Sequence, residues 1–564
     1  MRGSKERLIK VATCVLVCAV SSAPGAAKEK GQAQAGRIPN EYVVEFKKEA
    51  HVQAFNLSAF GIEKMYRLRT KRPLAQVRFP KNTIHVTSLI QSLKKDPNVL
   101  RVEPNYLYHI GASMEPQDPE YVAGGLWGLK NEGQKDARGQ EGKAGVDIAV
   151  RSVWEQGYTG SHDVVVAVID TGVSWTHPDL VENLYTNAGE IPGNGVDDDK
   201  NGFVDDVHGW NFVDNTALSG DDNDHGSHCA GTIGARGGND VGVVGVNWKV
   251  RIMPLKFLTA SGSGSLSGAL EAIDYATKMH VDVMSNSWGG GGASEIMEAS
   301  IRAASDAGIL FVAAAGNESN DNDQNPSYPA SYDVENVVSV AAIDNRGALA
   351  SFSNFGKTRV HVAAPGVSIL SSVKDGSYKA FSGTSMATPH VAGIAALLKS
   401  IHPEWTFAEI KKRLIETSEP ERALRGKSVS KGRVSVANAL SGFVPPSNEP
   451  DPSLWEEQEY ALESEHPYKN DTLLEEKVTL PGAKHIRLHF KKVDTEVGYD
   501  GISIRDANGT EMERVTGKYE DYWSEYVDGD TLSLLFESDY SVGAWGFEVD
   551  KVGVIWDHTA PELH

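Results

Sequence analysis

The spacing of apolar residues changes character twice along the chain. Between residues 40 and 108, short apolar runs at 42–46, 64–68, 74–79 and 99–108 read as strands, while 50–60 and 84–94 carry apolar residues at helical spacing. The order strand, helix, strand, strand, helix, strand predicts a ferredoxin-like α+β module. The run VVVAVI at 164–169 has no polar interruption and predicts a parallel strand buried on both faces. Apolar runs at 250–258, 281–284, 309–314 and 337–343 alternate with helical stretches at 267–279 and 294–307, which predicts an α/β domain with a doubly wound, mainly parallel sheet. FSGTSMATPHVAGIAALL, at 381–398, reads as a glycine-bearing loop that becomes a long apolar helix. Beyond FVPPSNEPDPS, a proline-rich linker at 443–453, the period becomes two: Ile486, Leu488 and Phe490; Ile502 and Ile504; Leu532, Leu534 and Phe536; Trp545, Phe547 and Val549. Such alternation between Gly-bearing turns predicts an antiparallel β-sandwich.

Charge narrows the choice of partner. With 76 acidic and 55 basic side chains the net charge is -21, which excludes a nucleic acid or an anionic membrane as partner and favours bound cations. Residues 1–27 have a basic start, an apolar run at 11–20 and small residues before 27, the layout of a secretory signal peptide. Thr13 and Val17 precede Cys14 and Cys18 where a lipid-modified cysteine wants Gly or Ala, so export and release are expected. Cys229 is the remaining cysteine, so the mature chain forms no internal disulfide and draws its stability from elsewhere.

Three residues sit where chemistry is usually built. Asp170 ends the 164–169 strand, His225 precedes a small-residue helix in DHGSHCAGTIGA, and Ser385 lies at the head of the apolar helix after Gly383. Taken singly these are a turn former, a surface histidine and an N-cap. Pro389 is expected to cost little near a first turn whose N–H groups lack partners anyway. GVDDDKNGFVDD opens like a calcium loop, with Asp197, Asp199, Asn201, Asp205 or Asp206 and the Phe203 carbonyl as oxygen donors and Gly202 at the sharp turn. It lacks the later glutamate, and His208 stands in its place.

VAVIDTGV, HGSHCAGTIGA, VAAAGN and SGTSMATPHVAG together resemble the four signature segments of subtilisin-like serine proteases, in the order Asp, His, Ser, over residues 126–442. The resemblance implies Ser385 as nucleophile, His225 as base and then acid, Asp170 as its orienting carboxylate and Asn317 as oxyanion donor. It implies substrate contacts at Gly262, Ser263, Gly264, Ser287, Trp288, Gly289 and Gly290, with Ala314 and Ala315 lining the pocket for the residue before the cut. Ser327 brings no carboxylate to that pocket, so apolar or aromatic residues are expected there. A second calcium site is implied at Asp179 with Asn239. The first module resembles the inhibitory propeptides of the family, with residues 106–110 lying in the cleft and self-cleavage between 108 and 116.

HPY, PGAKHIRLHF, EVGYD and WGFEVD make the last module resemble a CUB domain without disulfides. Calcium at Glu496, Asp500 and Asp539 is then implied, and a protein or glycan ligand for surface residues such as Tyr522 and Trp523. The expected organisation is a signal peptide (1–27), propeptide (28–112), catalytic domain (113–442), linker (443–453), CUB-like domain (454–556) and tail (557–564). It describes a secreted, calcium-stabilised serine endopeptidase made as a self-processed zymogen, acting on proteins or peptides and inhibited by its own propeptide. A narrow processing protease and a binding or adhesion protein displaying the CUB-like module are the alternatives. An α/β-hydrolase is disfavoured because GTSMA lacks the G-x-S-x-G elbow.

Overall fold

A computed structural model describes residues 37–80, 86–106 and 115–557. The expected signal segment, Cys14 and Cys18, residues 107–114 of the expected self-cleavage stretch and residues 558–564 lie outside the described residues. The chain forms two compact units, Met1–Tyr108 and His109–His564.

The first unit runs β1 (Arg37–Phe46), α1 (Glu49–Gln53), β2 (Lys64–Arg67), β3 (Leu74–Arg78), α2 (Val86–Lys95) and β4 (Val99–Tyr106). Its four strands pair antiparallel in the order β2-β3-β1-β4, around a core that includes Val44, Phe46, Val77, Phe79 and Leu93. The helix expected over 50–60 is shorter. It stops at Gln53, and a separate 3-10 turn over Leu57–Phe60 ends on Gly61 in the left-handed region (φ 63°). Asn56, extended at the joint, lets Phe55 stack on Phe60 and meet Phe46 edge-on.

The second unit begins with two short helices, α3 (Pro119–Val122) and α4 (Arg151–Trp154). A nine-stranded sheet follows, ordered β14-β15-β11-β10-β9-β8-β5-β7-β6 and parallel except where β14 (Glu419–Pro420) meets β15 (Gly432–Arg433). Its centre is β5 (Gly160–Asp170), between β7 (Lys249–Lys256) and β8 (Val283–Asn286), with β6 (Trp210–Asn211) at one edge. β9 (Leu310–Ala314), β10 (Val337–Ile343) and β11 (Val362–Pro365) extend the other side. The 164–169 run is unbroken because both faces are covered. Val164, Val166 and Val168 enter one core, whereas Ala167 and Ile169 enter the other. The first core holds α5 (His225–Gly234) and α8 (Thr384–Ile401); the second holds α6 (Leu266–Lys278) and α7 (Glu295–Asp306). Strand order reverses about β5, so its carboxyl end at Asp170 lies at a topological switch point, where open α/β sheets build their sites. A hairpin of β12 (Ile369–Ser372) and β13 (Tyr378–Phe381) leads into α8, and α9 (Phe407–Glu416) and α10 (Val436–Ser441) close the domain.

Two antiparallel sheets follow the linker. One orders β16 (Glu456–Glu463), β24 (Gly546–Trp556), β18 (Ala483–Asp494) and β21 (Lys518–Trp523), with β22 (Val527–Asp528) also on β18. The other orders β17 (Leu473–Thr479), β23 (Thr531–Glu537), β19 (Gly501–Arg505) and β20 (Glu511–Val515). Ile486, Leu488, Phe490, Ile502, Ile504, Leu532, Leu534, Phe536, Phe547 and Val549 share their common core. Trp545 does not: it precedes β24 and stacks on the His466 ring. This module rests on the domain built around the nine-stranded sheet. Arg422 pairs with Asp528 at 2.9 Å, Arg425 stacks on Tyr526, and Lys357 lies over Tyr522. Tyr522 therefore faces the protein's own surface, and Trp523 is stacked by Arg487.

Candidate active site

Asp170 is fully buried, and its Oδ1 accepts the Thr171 N–H at 2.7 Å. His225, the first residue of α5, brings Nδ1 to 2.8 and 3.0 Å from the two carboxylate oxygens of Asp170. Such contact fixes the tautomer: the Nδ1 proton is donated to the carboxylate, which leaves Nε2 as the free base. Burial opposes charging the ring, but the Asp170 charge and hydrogen bond, aided by Asp221, win and raise the His225 pKa above its ordinary 6.5.

Asp221 helps hold the two residues together, a role no motif marked. Its Oδ1 accepts the Thr171 hydroxyl at 2.9 Å and its Oδ2 the Ser227 N–H at 3.0 Å. Gly226 donates to Thr171 Oγ1 at 2.9 Å, and a Cβ there would sit 2.0 Å from the Gly172 carbonyl oxygen, so only glycine lets α5 start this close to β5. Lys256, at the end of β7 and in register with Asp170, is buried with Nζ 2.8 Å from Thr171 O, 2.9 Å from Leu258 O and 2.7 Å from Asp222 Oδ1.

Ser385 is the second residue of α8, so its N–H belongs to the first turn and has no intrahelical acceptor. Its hydroxyl donates to Ser287 O at 3.0 Å, and no hydrogen bond joins it to the His225 ring among the described residues. Pro389 is the sixth helical residue, not a first-turn one. Its missing N–H is the one that would bond Ser385 O, four residues back. The vacated carbonyl instead accepts Ser287 Oγ at 2.9 Å and the buried Cys229 thiol at 3.5 Å.

Asn317 Oδ1 accepts both the N–H and the hydroxyl of Thr384, at 2.9 and 3.1 Å, and its amide nitrogen makes no hydrogen bond among the described residues. A Cβ built on Gly383 would lie 3.6 Å from Ser385 N and 3.8 Å from Asn317 Nδ2, so both donors border one small space kept open by glycine. His228 and His390 are buried and bonded to backbone carbonyls, and desolvation lowers their pKa values to about 3 and about 4. Both are neutral packing groups.

Gly262, Ser263, Gly264, Trp288, Gly289 and Gly290 meet around a cavity of about 400 Å³ whose other walls are Phe257, Leu258, Leu266, Met297, Tyr328 and Tyr332. Ser287 lies beside it under Ser385, whereas Ala314 and Ala315 are buried at the end of β9 and do not line that cavity.

Of the calcium-loop residues, Asp199 and Asp206 come together, and Glu190 joins them with carboxylate oxygens within 4.8 Å of one another. Asp197 spends its oxygens on the Asn201 and Gly202 N–H groups, and Asp205 on those of Asn194 and Gly195. Asn201 donates its amide to Asp199 and Asp206, and the Phe203 ring packs on Trp210 and Tyr275. Asp179 accepts from Asn239 Nδ2 at 2.8 Å, from Val243 N at 3.0 Å and from the Tyr378 hydroxyl at 2.8 Å. Asp118, missed in the sequence, holds the same loop through Gly238 N at 2.9 Å; burial raises the pKa of both carboxyls. Glu496, Asp500 and Asp539 form a third group within 4.8 Å, where burial and then the two neighbouring charges raise Glu496. Paired carboxylates of this kind are hard-oxygen donor sets suited to calcium.

Residues 161–443 match the model of the subtilase family. The chain is 36% identical over 330 residues to subtilisin amylosacchariticus of Bacillus subtilis subsp. amylosacchariticus, covering 58% of this chain and 72% of that one. It is 35% identical over 301 residues to subtilisin-like protease 1 of Plasmodium berghei, covering 50% of each, so the chain matches about half the length of that relative. A solved structure described as that of a cold adapted subtilisin-like serine proteinase is 30% identical and spans 55% of this chain and 96% of its own, with a TM-score of 0.40.

Proposed function

The chain belongs to the subtilase family and is a serine endopeptidase, and we propose that Ser385, His225, Asp170 and Asn317 carry its peptide hydrolysis. The Ser385 oxygen attacks the peptide carbonyl carbon while His225 Nε2 takes its proton. The carbonyl oxygen becomes an oxyanion that accepts hydrogen bonds from Ser385 N–H and Asn317 Nδ2. Collapse breaks the C–N bond as the imidazolium returns the proton to the leaving amine, and an acyl-enzyme remains. Water then attacks the ester with His225 again as base, releasing the acid and restoring the hydroxyl. Asp170 keeps Nε2 unprotonated in the resting state and stabilises the imidazolium. The observation that carries this assignment is the Asp170 to His225 contact at 2.8 Å.

The substrate is a protein or peptide held as an added strand between 262–264 and 287–290. The side chains of Trp288, Met297, Tyr328 and Tyr332 on one part of the cavity wall support preference for an apolar or aromatic side chain. A cleavage profile dominated by Arg or Lys overturns that preference. Residues 28–112 are read as an inhibitory propeptide, supported by the β2-β3-β1-β4 sheet of the first unit. Residues 454–556 are read as a CUB-like β-sandwich that binds a protein or glycan, and the whole as secreted. The Glu190, Asp199 and Asp206 group and the Glu496, Asp500 and Asp539 group would hold calcium, whose chemistry when bound is structural charge neutralisation, whereas Asp179 accepts three donors, the Asn239 amide among them, and stands in no such group.

A fluorophosphonate probe tests the assignment. It should label Ser385, and Ser385→Ala should abolish both labelling and peptide hydrolysis while leaving full-length precursor. Labelling of another residue, or hydrolysis retained by Ser385→Ala, refutes it.

A further inference from the structure

Asn317 is exposed and sits in a loop with little packing of its own, yet its amide must be held to a fraction of an ångström to serve as an oxyanion donor. Thr384 fixes the far end of its side chain. The backbone on either side of it is gripped by Asn354, alongside single bonds from Gly316 N to Thr384 Oγ1 and from Ser319 N to Phe352 O. Asn354, in the SFSNFG segment after β10, is 0% exposed. Its own N–H donates to Gly316 O at 2.9 Å. Its side-chain Oδ1 accepts the N–H groups of Glu318 and Asn320, at 2.9 and 3.0 Å. Its Nδ2 faces Ala315 O at 3.1 Å, Glu318 Oε2 at 2.9 Å and Asn322 Oδ1 at 3.1 Å. Asn322, also fully buried, donates to the same Ala315 carbonyl at 2.8 Å.

One carboxamide therefore grips the chain before Asn317 by its carbonyl and after it by two amides. Only a side chain with both acceptor and paired donor capacity meets that demand: aspartate lacks the donors, and serine lacks the reach. The grip is close. Gly316 has φ 113°, and a Cβ there would fall 2.2 Å from Asn354 Nδ2, so the amide occupies the space a side chain at 316 would need.

We propose that Asn354 is a positioning residue for the oxyanion amide of Asn317, setting the height and direction from which that amide reaches the substrate oxygen. The inference rests on the role given to Asn317 above, and the test separates the two. Asn354→Ser should lower kcat about 10- to 100-fold, the scale of a donor displaced by roughly 1 Å, with KM changed less than about twofold. Its affinity for a peptide aldehyde, which forms the oxyanion on Ser385, should fall in parallel with kcat, while affinity for the matching peptide acid stays unchanged. In an Asn317→Ala background the same substitution should change kcat less than about twofold, because the group it positions is gone. Asn354→Ala, which puts no charge beside the Glu318 carboxylate, provides the same readouts if the serine variant does not fold. An unchanged kcat in a folded Asn354 variant, or a loss that persists undiminished in the Asn317→Ala background, overturns the inference alone. Full kcat in Asn317→Ala overturns the role of Asn317 and the inference with it.

Discussion

Lys256 offers the sharpest test of how the candidate site is held. Its ammonium binds three separate pieces: the turn after Asp170 through Thr171 O, the cleft strand through Leu258 O, and the loop leading to His225 through Asp222. Lys256→Met keeps the volume of the stem and removes the donor. Two buried carbonyl oxygens then lose their partner, at about 1–3 kcal/mol each. The Asp222 carboxylate is half exposed, so its pair is worth less than about 1 kcal/mol. Relief of the ammonium's own desolvation offsets part of this, leaving a net loss of about 2–4 kcal/mol. Guanidinium unfolding of the variant in a Ser385→Ala background, followed by tryptophan fluorescence, measures that loss without self-digestion. Kinetics on a chromogenic peptide in the active background should show kcat/KM reduced about 10- to 100-fold, as three pieces that must agree within about 1 Å drift apart. A variant with stability within about 0.5 kcal/mol of the parent and unchanged kcat/KM would refute this.

Two further outcomes are expected. Because Asp170 raises the His225 pKa and only the neutral ring acts as base, kcat/KM should rise with pH through a midpoint above 6.5; Asp170→Asn should move that midpoint down and cut kcat on the order of 10⁴-fold, as read from the pH profile of each enzyme. Excess chelator should lower the melting temperature before it touches the active site, by the equivalent of about 2.7 kcal/mol for a site held at 100 times its Kd. Glu190→Gln should blunt that response, and equal chelator sensitivity in parent and variant removes Glu190 from the cation site.

The framework was legible where periodicity is strong. The unbroken 164–169 run announced a strand covered on both faces, and Ile486, Leu488 and Phe490 announced a half-buried one. Spacing said less where local geometry decides. Asp197 and Asp205 sit at ligand-like intervals and accept nearby N–H groups, and Glu190, outside the motif, likewise accepts the N–H groups of Asp198, Asp199 and Asp205 while joining Asp199 and Asp206 through the fold. Trp545 keeps the alternation but falls one residue before its strand. The expected helix at 50–60 breaks after Gln53, and Phe55 stacks on Phe60 across the break. Lys256, Asp221 and Asn354 carry no motif at all; they matter through partners distant in sequence, which one chain read alone does not reveal.

The proline at position 389 leaves the nucleophile and Ser287 as a reciprocal pair, each donating its hydroxyl to the other's carbonyl. In the free protein the hydroxyl proton of the proposed nucleophile is thus held by the Ser287 carbonyl and not by the His225 ring. Turning the hydroxyl of the half-buried Ser385 toward the ring is a rotation about one side-chain bond, a class of motion far faster than a millisecond. Turnover in enzymes runs at roughly 1–10³ per second, so that rotation costs no time. The resting site is therefore a safe storage position for a reactive group, released by whatever bound peptide turns that hydroxyl toward the ring.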